Sequence, residues 1–190
     1  AMALWFLLRR RLSFARLYLF TLLGYCLSGV LDAFTSYGTH LLWPLSNERV
    51  AWSIISVIDP IFTLILLVAA IIAFKKNNRL AAYLGLFLAA TYLTLGWVQS
   101  QRVETFAKTI IAERGQTAET LLVKPTLGNI ILWRSIYRYQ GSLYVDAIRV
   151  GLITGPQLYP GESIMQFDRS RDLSAVPDSS VLAKDIERFS

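Results

Sequence analysis

Three apolar stretches, Leu12 to Phe34, Ala51 to Phe74 and Leu80 to Val98, constrain this chain more than any other feature. Each approaches the roughly 20 residues that a helix needs to cross the hydrocarbon core of a bilayer. Few charges remain to solvate a water-facing surface: 54% of the 190 residues are apolar and 17% charged, a balance beyond that of ordinary soluble domains. A shorter run, Ala3 to Leu8, reads as the end of a further span. The expectation is a mainly α, polytopic membrane protein with about three transmembrane helices (12–34, 51–74 and 80–98) and a partial fourth, followed by a small β-containing extramembrane domain.

The net charge of +6 is unevenly placed. Residues 1–98 hold eight Lys or Arg against three acids, and residues 99–190 hold eleven against ten. The excess is gathered in two clusters: Arg9, Arg10, Arg11 and Arg16 at the start of the first stretch, and Lys75, Lys76 and Arg79 between the second and third. That placement reads as topology and not as a nucleic-acid footprint, so the lipid bilayer is the expected partner. By the positive-inside rule both clusters face the cytoplasm, and the loop from Ser36 to Val50 faces outward. Residues 99–190 then lie on the outer side of the membrane. Because Arg9 to Arg11 follow the short apolar run instead of preceding it, that run is no signal peptide. An N-terminally truncated chain is expected, since it opens on Ala1 within an incomplete span. The lone Cys26 lies inside an apolar stretch and has no intrachain disulfide partner.

Composition changes near Gln99. Thr105 to Ala118 has the spacing of an amphipathic helix, with Phe106, Ile110, Ile111 and Arg114 towards one side and Gly115 as a break. The segments "NIILWRSIYRY" and "SLYVDAIRVGLI", joined at Gln140-Gly141-Ser142, read as a β-hairpin. Its first arm sets Ile131, Trp133, Ser135 and Tyr137 on one face and Leu132, Arg134, Ile136 and Arg138 on the other. An extramembrane unit over 99–168 and, over 169–190, a linker with a short terminal helix starting at Ser179 or Ser180 complete the expected organisation.

Polar residues within the apolar stretches fall at helical spacings. Thr21, Tyr25, Ser28 and Asp32 form one stripe, and Ser53, Ser56, Asp59 and Thr63 form another. A carboxylate inside a span costs roughly 2.5–3.5 kcal/mol at the centre and usually pairs or serves a site. Topology sets Asp32, Asp59 and the loop residue His40 near the same outer surface. Aspartate oxygens and an imidazole suit a divalent ion such as Zn, Mn or Fe, which could activate a water. The alternative is structural: Asp32 capping the Thr35-Ser36-Tyr37-Gly38 turn, and Asp59 bonded to Tyr or Ser neighbours or to Arg49.

The stretch "LLGYCLSGVLDAFTSYGTHLLWPLSNERVAWSIISVIDPIFTLILL", with the later "PTLGNIILWRSIYR", resembles the bacterial inner-membrane-associated metal-dependent hydrolases, a family that includes a LexA-regulated membrane protein. The likeness extends over about residues 4–150 and is sharpest at Leu-Asp-Ala-Phe-Thr-Ser-Tyr-Gly-Thr and Ile-Asp-Pro. It implies Asp32 as a metal ligand, with Asp59 orienting a ligand or the loop. Where the family has a histidine four residues before that aspartate, this chain has Ser28; where it has Gln after Tyr-Gly-Thr, this chain has His40, a second candidate ligand. The family's upstream Asp-x2-Thr-His and His-Arg-Gly-x-Thr-His-Ser segments do not occur here. Trp133 and Arg134 are matched too, and a packing role for the first and a headgroup or acid contact for the second account for them. The resemblance implies a hydrolase acting on an ester or phosphoester, lipid-derived, at the outer leaflet. The alternatives are a non-catalytic membrane protein with a partner-binding outer domain, or a cation- or proton-linked transporter fragment.

Overall fold

A computed structural model describes residues 5, 13–167 and 169–172. Helix α1, Phe14–Ala33, starts at Ser13, whose side chain accepts from the Arg16 amide. Of its residues only Leu17 and Ala33 are buried, so an almost wholly apolar cylinder faces outward. A helix hydrophobic all round is matched to lipid or to a large core.

The chain then folds back on itself. Thr39 and Val50 exchange both backbone hydrogen bonds at 2.9 Å, and the amides of Trp52 and Ile54 donate to the carbonyls of Ala33 and Phe34 at 2.8 Å. Gly38 makes this return possible: its φ is +69°, and a Cβ there would stand 2.7 Å from the Val50 carbonyl oxygen.

Helix α2, Pro60–Lys75, begins well inside the second apolar stretch. Asp59 is its N-cap and Pro60 its first residue, the positions at which a short acceptor and a fixed φ favour starting a helix. Residues 51–59 are therefore not helical, and Ser53, Ser56 and Asp59 do not form a helical stripe. At 16 residues α2 is about 24 Å long, shorter than the roughly 30 Å apolar core of a bilayer. Helix α3, Arg79–Glu113, runs unbroken for 35 residues and takes in both the third apolar stretch and most of the expected amphipathic helix. Against α2 it packs closely at Gly85, where a Cβ would collide with Ala69. It ends at Arg114, followed by Gly115 with φ +67°, a left-handed cap that glycine adopts without cost.

Beyond α3 an antiparallel sheet forms from β1 (Thr120–Pro125), β2 (Leu132–Tyr139), β3 (Ser142–Val150), β4 (Pro156–Tyr159) and β5 (Ser163–Met165), in the order β1-β2-β3-β4 with β5 on β3. The expected hairpin is β2–β3: Gln140 and Gly141 both have positive φ, the signature of a two-residue type I′ turn. Trp133, Ser135 and Tyr137 are buried together, while Ile131 lies just ahead of the strand. Trp133 packs with Ile148 and Val150 in one core with Val103 and Ala107 of α3. A short helix α4, Arg169–Asp172, follows. The Ala3 to Leu8 run apart from Trp5, the remainder of the linker and the terminal helix lie outside the described residues.

The expectation of a mainly α, polytopic protein with about three transmembrane helices and a partial fourth is overturned. Among the described residues, two helices, α1 and α3, are long and apolar enough to cross a membrane, and a five-stranded antiparallel sheet makes the architecture α+β. Hydropathy over Ala51 to Phe74 misled because an extended, buried segment and a helix can carry the same apolar residues. The segment "TLLVKP", rich in β-branched residues, is β1, whereas the short strands β4 and β5 left too little periodicity to be read.

Candidate functional site

The polar residues of interest gather where the apolar helices meet the sheet. Asp59 is 3% exposed, and both of its oxygens are occupied. Oδ1 accepts from the Phe62 amide at 3.0 Å, and Oδ2 accepts from the Tyr92 hydroxyl of α3 at 2.8 Å. This is the structural arrangement the sequence left open, with the tyrosine supplied by α3; Arg49 instead donates from Nε to the Gly38 carbonyl at 3.5 Å. Ser56 Oγ donates to the Ile58 carbonyl and accepts from the Gly128 amide. That second bond seats the β1–β2 turn on the start of α2, where Gly128, at φ +77°, lies against Pro60.

Asp32 and Asp59 line one small cleft of about 130 Å³, together with Thr35, Ser56 and Thr63. The side chain of Asp32 is without a hydrogen bond or ion pair among the described residues; its backbone carbonyl, not its carboxylate, caps the turn by accepting from the Thr35 amide and hydroxyl. Two other candidates stay apart. His40 is exposed and does not line the cleft. Ser28 is exposed, and its hydroxyl donates to the Tyr25 carbonyl one turn back at 2.8 Å.

A divalent ion held here would need several free donors at once. Among the described residues, Asp32 offers a free carboxylate, but Asp59 is committed to an amide and a hydroxyl, and no group of three His, Cys, Asp or Glu side chains stands close enough to bind a metal. These residues do not fit the metal centre that the resemblance implied.

On the other side of Ser56 and Val57 opens a larger cleft of about 460 Å³. Ser36, Tyr37 and Ile58 line it from the α1–α2 connection, and Lys124, Leu127 and Arg134 line it from β1, the following turn and β2. Lys124 and Arg134 are directly opposite one another in the β1–β2 register. Alternation along the first hairpin arm sets Arg134 on the face opposite Trp133, whereas Lys124 is brought to it by the register of β1 on β2.

Two polar clamps hold this region to α3. Gln99 Nε2 donates to the Val150 carbonyl at 2.9 Å, while Arg102 bonds the carbonyls of Gly151 and Thr154 at 2.9 Å. At the far end of α3, Arg114 makes two bonds to the buried Asp146 carboxylate, at 2.7 and 3.1 Å, and one to the Tyr137 hydroxyl. Bonding to Asp146, reinforced by Tyr137, holds the Arg114 guanidinium above its ordinary pKa range. Large aromatic side chains are exposed near the junction: Tyr37, Trp43, Trp52 and Trp97. Trp and Tyr concentrate where a membrane meets water.

Residues 1–103 match a family described as YdjM inner membrane protein, a match covering more than half of the chain and ending within α3. No curated protein and no solved structure matches.

Proposed function

The chain belongs to the YdjM inner membrane protein family, and from that premise we propose that its apolar helices hold the sheet at the outer, periplasmic face of the inner membrane as a binding module. The observation that carries this reading is the continuity of α3: one helix leads from the apolar pairing with α2 into the sheet, with Gln99 bonded to the end of β3 and Arg102 to the β3–β4 connection. A sheet so fixed moves with its anchor. Arg79 opens α3, the sheet follows its far end, and the exposed Trp97 lies between them, which agrees with a cytoplasmic basic start and an aromatic outer belt. The test is labelling of an Ile153→Cys variant in a Cys26→Ser background, because Ile153 is 99% exposed in the β3–β4 connection. A membrane-impermeant maleimide should label spheroplasts without lysis; labelling only after lysis would contradict the placement.

A metal-dependent hydrolase acting on an ester or phosphoester is the second reading, favoured by Asp32 and Asp59 lining one cleft. The donor set described above gives it less support than the binding reading.

A further inference from the structure

The cleft between the α1–α2 connection and the β1–β2 turn has an uncompensated charge. Lys124 and Arg134 face each other across an antiparallel pair, a position in which Cβ atoms lie about 4.5–5.5 Å apart and like charges destabilise the pairing. Neither side chain has a hydrogen bond or ion pair among the described residues, and no acid lines the cleft. Asp59 is bonded to Phe62 and Tyr92, and Asp32 lines the separate, smaller cleft. The same open face of the sheet also carries Arg138 and Arg149 by strand alternation, so no acid relieves the pair from within the sheet.

We propose that this cleft binds a phosphate monoester, with Lys124 and Arg134 as its two cationic ligands. A doubly charged phosphate matches two cations, Arg supplying a planar two-point fork and Lys a compact point charge. The hydroxyl-bearing Ser36 and Tyr37 line the same space, and the apolar Ile58 and Leu127 suit the group that the phosphate esterifies. Two sources share this chemistry, a phosphatidic-acid headgroup and a soluble phosphate monoester. The lipid source rests on the membrane-face placement proposed above; the anion site does not.

The full chain in phosphatidylcholine nanodiscs, titrated calorimetrically with glycerol 3-phosphate, tests the soluble arm. Native mass spectrometry of nanodiscs containing phosphatidic acid tests the lipid arm. Binding in either arm is expected, weakened about tenfold or more in Lys124→Gln and in Arg134→Gln, and held within about twofold in Arg149→Gln, which keeps to the sheet face but lies off the cleft. Arg134→Lys, which retains the charge, should recover part of the loss and guards against misfolding as its cause. Absence of binding in both arms, or an equal loss in Arg149→Gln, would overturn the proposal. Retained phosphate binding with Ile153→Cys labelled only after lysis would overturn the outer-face placement and leave the site standing.

Discussion

The hydroxyl of Tyr92, midway along α3, donates to Oδ2 of Asp59, the residue that caps α2, at 2.8 Å. One buried carboxylate thus starts a helix and fastens it to its neighbour. Asp59→Ala should lower stability by about 2–4 kcal/mol, combining a lost cap with a tyrosine hydroxyl left unpaired. Tyr92→Phe should cost less, about 1–2 kcal/mol. Thermal unfolding of detergent-solubilised protein would order the two variants, and a Tyr92→Phe effect equal to that of Asp59→Ala would remove the capping role.

Asp146 is 4% exposed and takes both Arg114 bonds as well as the Gly161 amide. Removing the arginine leaves a charge buried without its cation, so Arg114→Ala should destabilise the sheet by about 3–5 kcal/mol. Combining it with Asp146→Leu should give back part of that loss, because the unpaired charge disappears with it. A double-mutant cycle in denaturant measures this coupling; strict additivity would mean that the pair does not act as one unit.

At Gly38 the left-handed backbone and the close Val50 carbonyl both oppose a side chain. Gly38→Ala should cost about 1–3 kcal/mol. The loss should concentrate in the return loop, so hydrogen exchange should quicken at the Thr39 and Val50 amides before it quickens in the sheet. Uniform exchange across the chain would speak against a local role.

Elemental analysis of purified protein separates the two functional readings. The binding reading expects the same negligible metal content in wild type and Asp32→Ala. Stoichiometric metal in wild type that is lost in Asp32→Ala would favour the hydrolase.

Parts of this arrangement were legible in the sequence for clear reasons. The β2–β3 hairpin shows because Trp133, Ser135 and Tyr137 alternate with Arg134, Ile136 and Arg138 and the arm ends in Gln140-Gly141, whose positive φ values suit the turn. Asp32 and Asp59 were expected near one surface, and they do line one cleft. The start of α2 was misplaced because apolar content outweighed the Asp-Pro signal, although an aspartate before a proline is a helix beginning in its own right. The Tyr92 and Asp146 contacts join residues far apart in sequence, and one chain carries no signal of such pairing. Lys124 opposite Arg134 needed the register of β1 on β2, which only the fold supplies.

The central claim is that α3 carries the sheet across to the outer face. A reporter fused after Ser190 that is active only in the periplasm, such as alkaline phosphatase, measures this most directly, compared with a cytoplasm-active reporter at the same position. The account predicts phosphatase activity and a silent cytoplasmic reporter; an active cytoplasmic reporter with a silent phosphatase would contradict it.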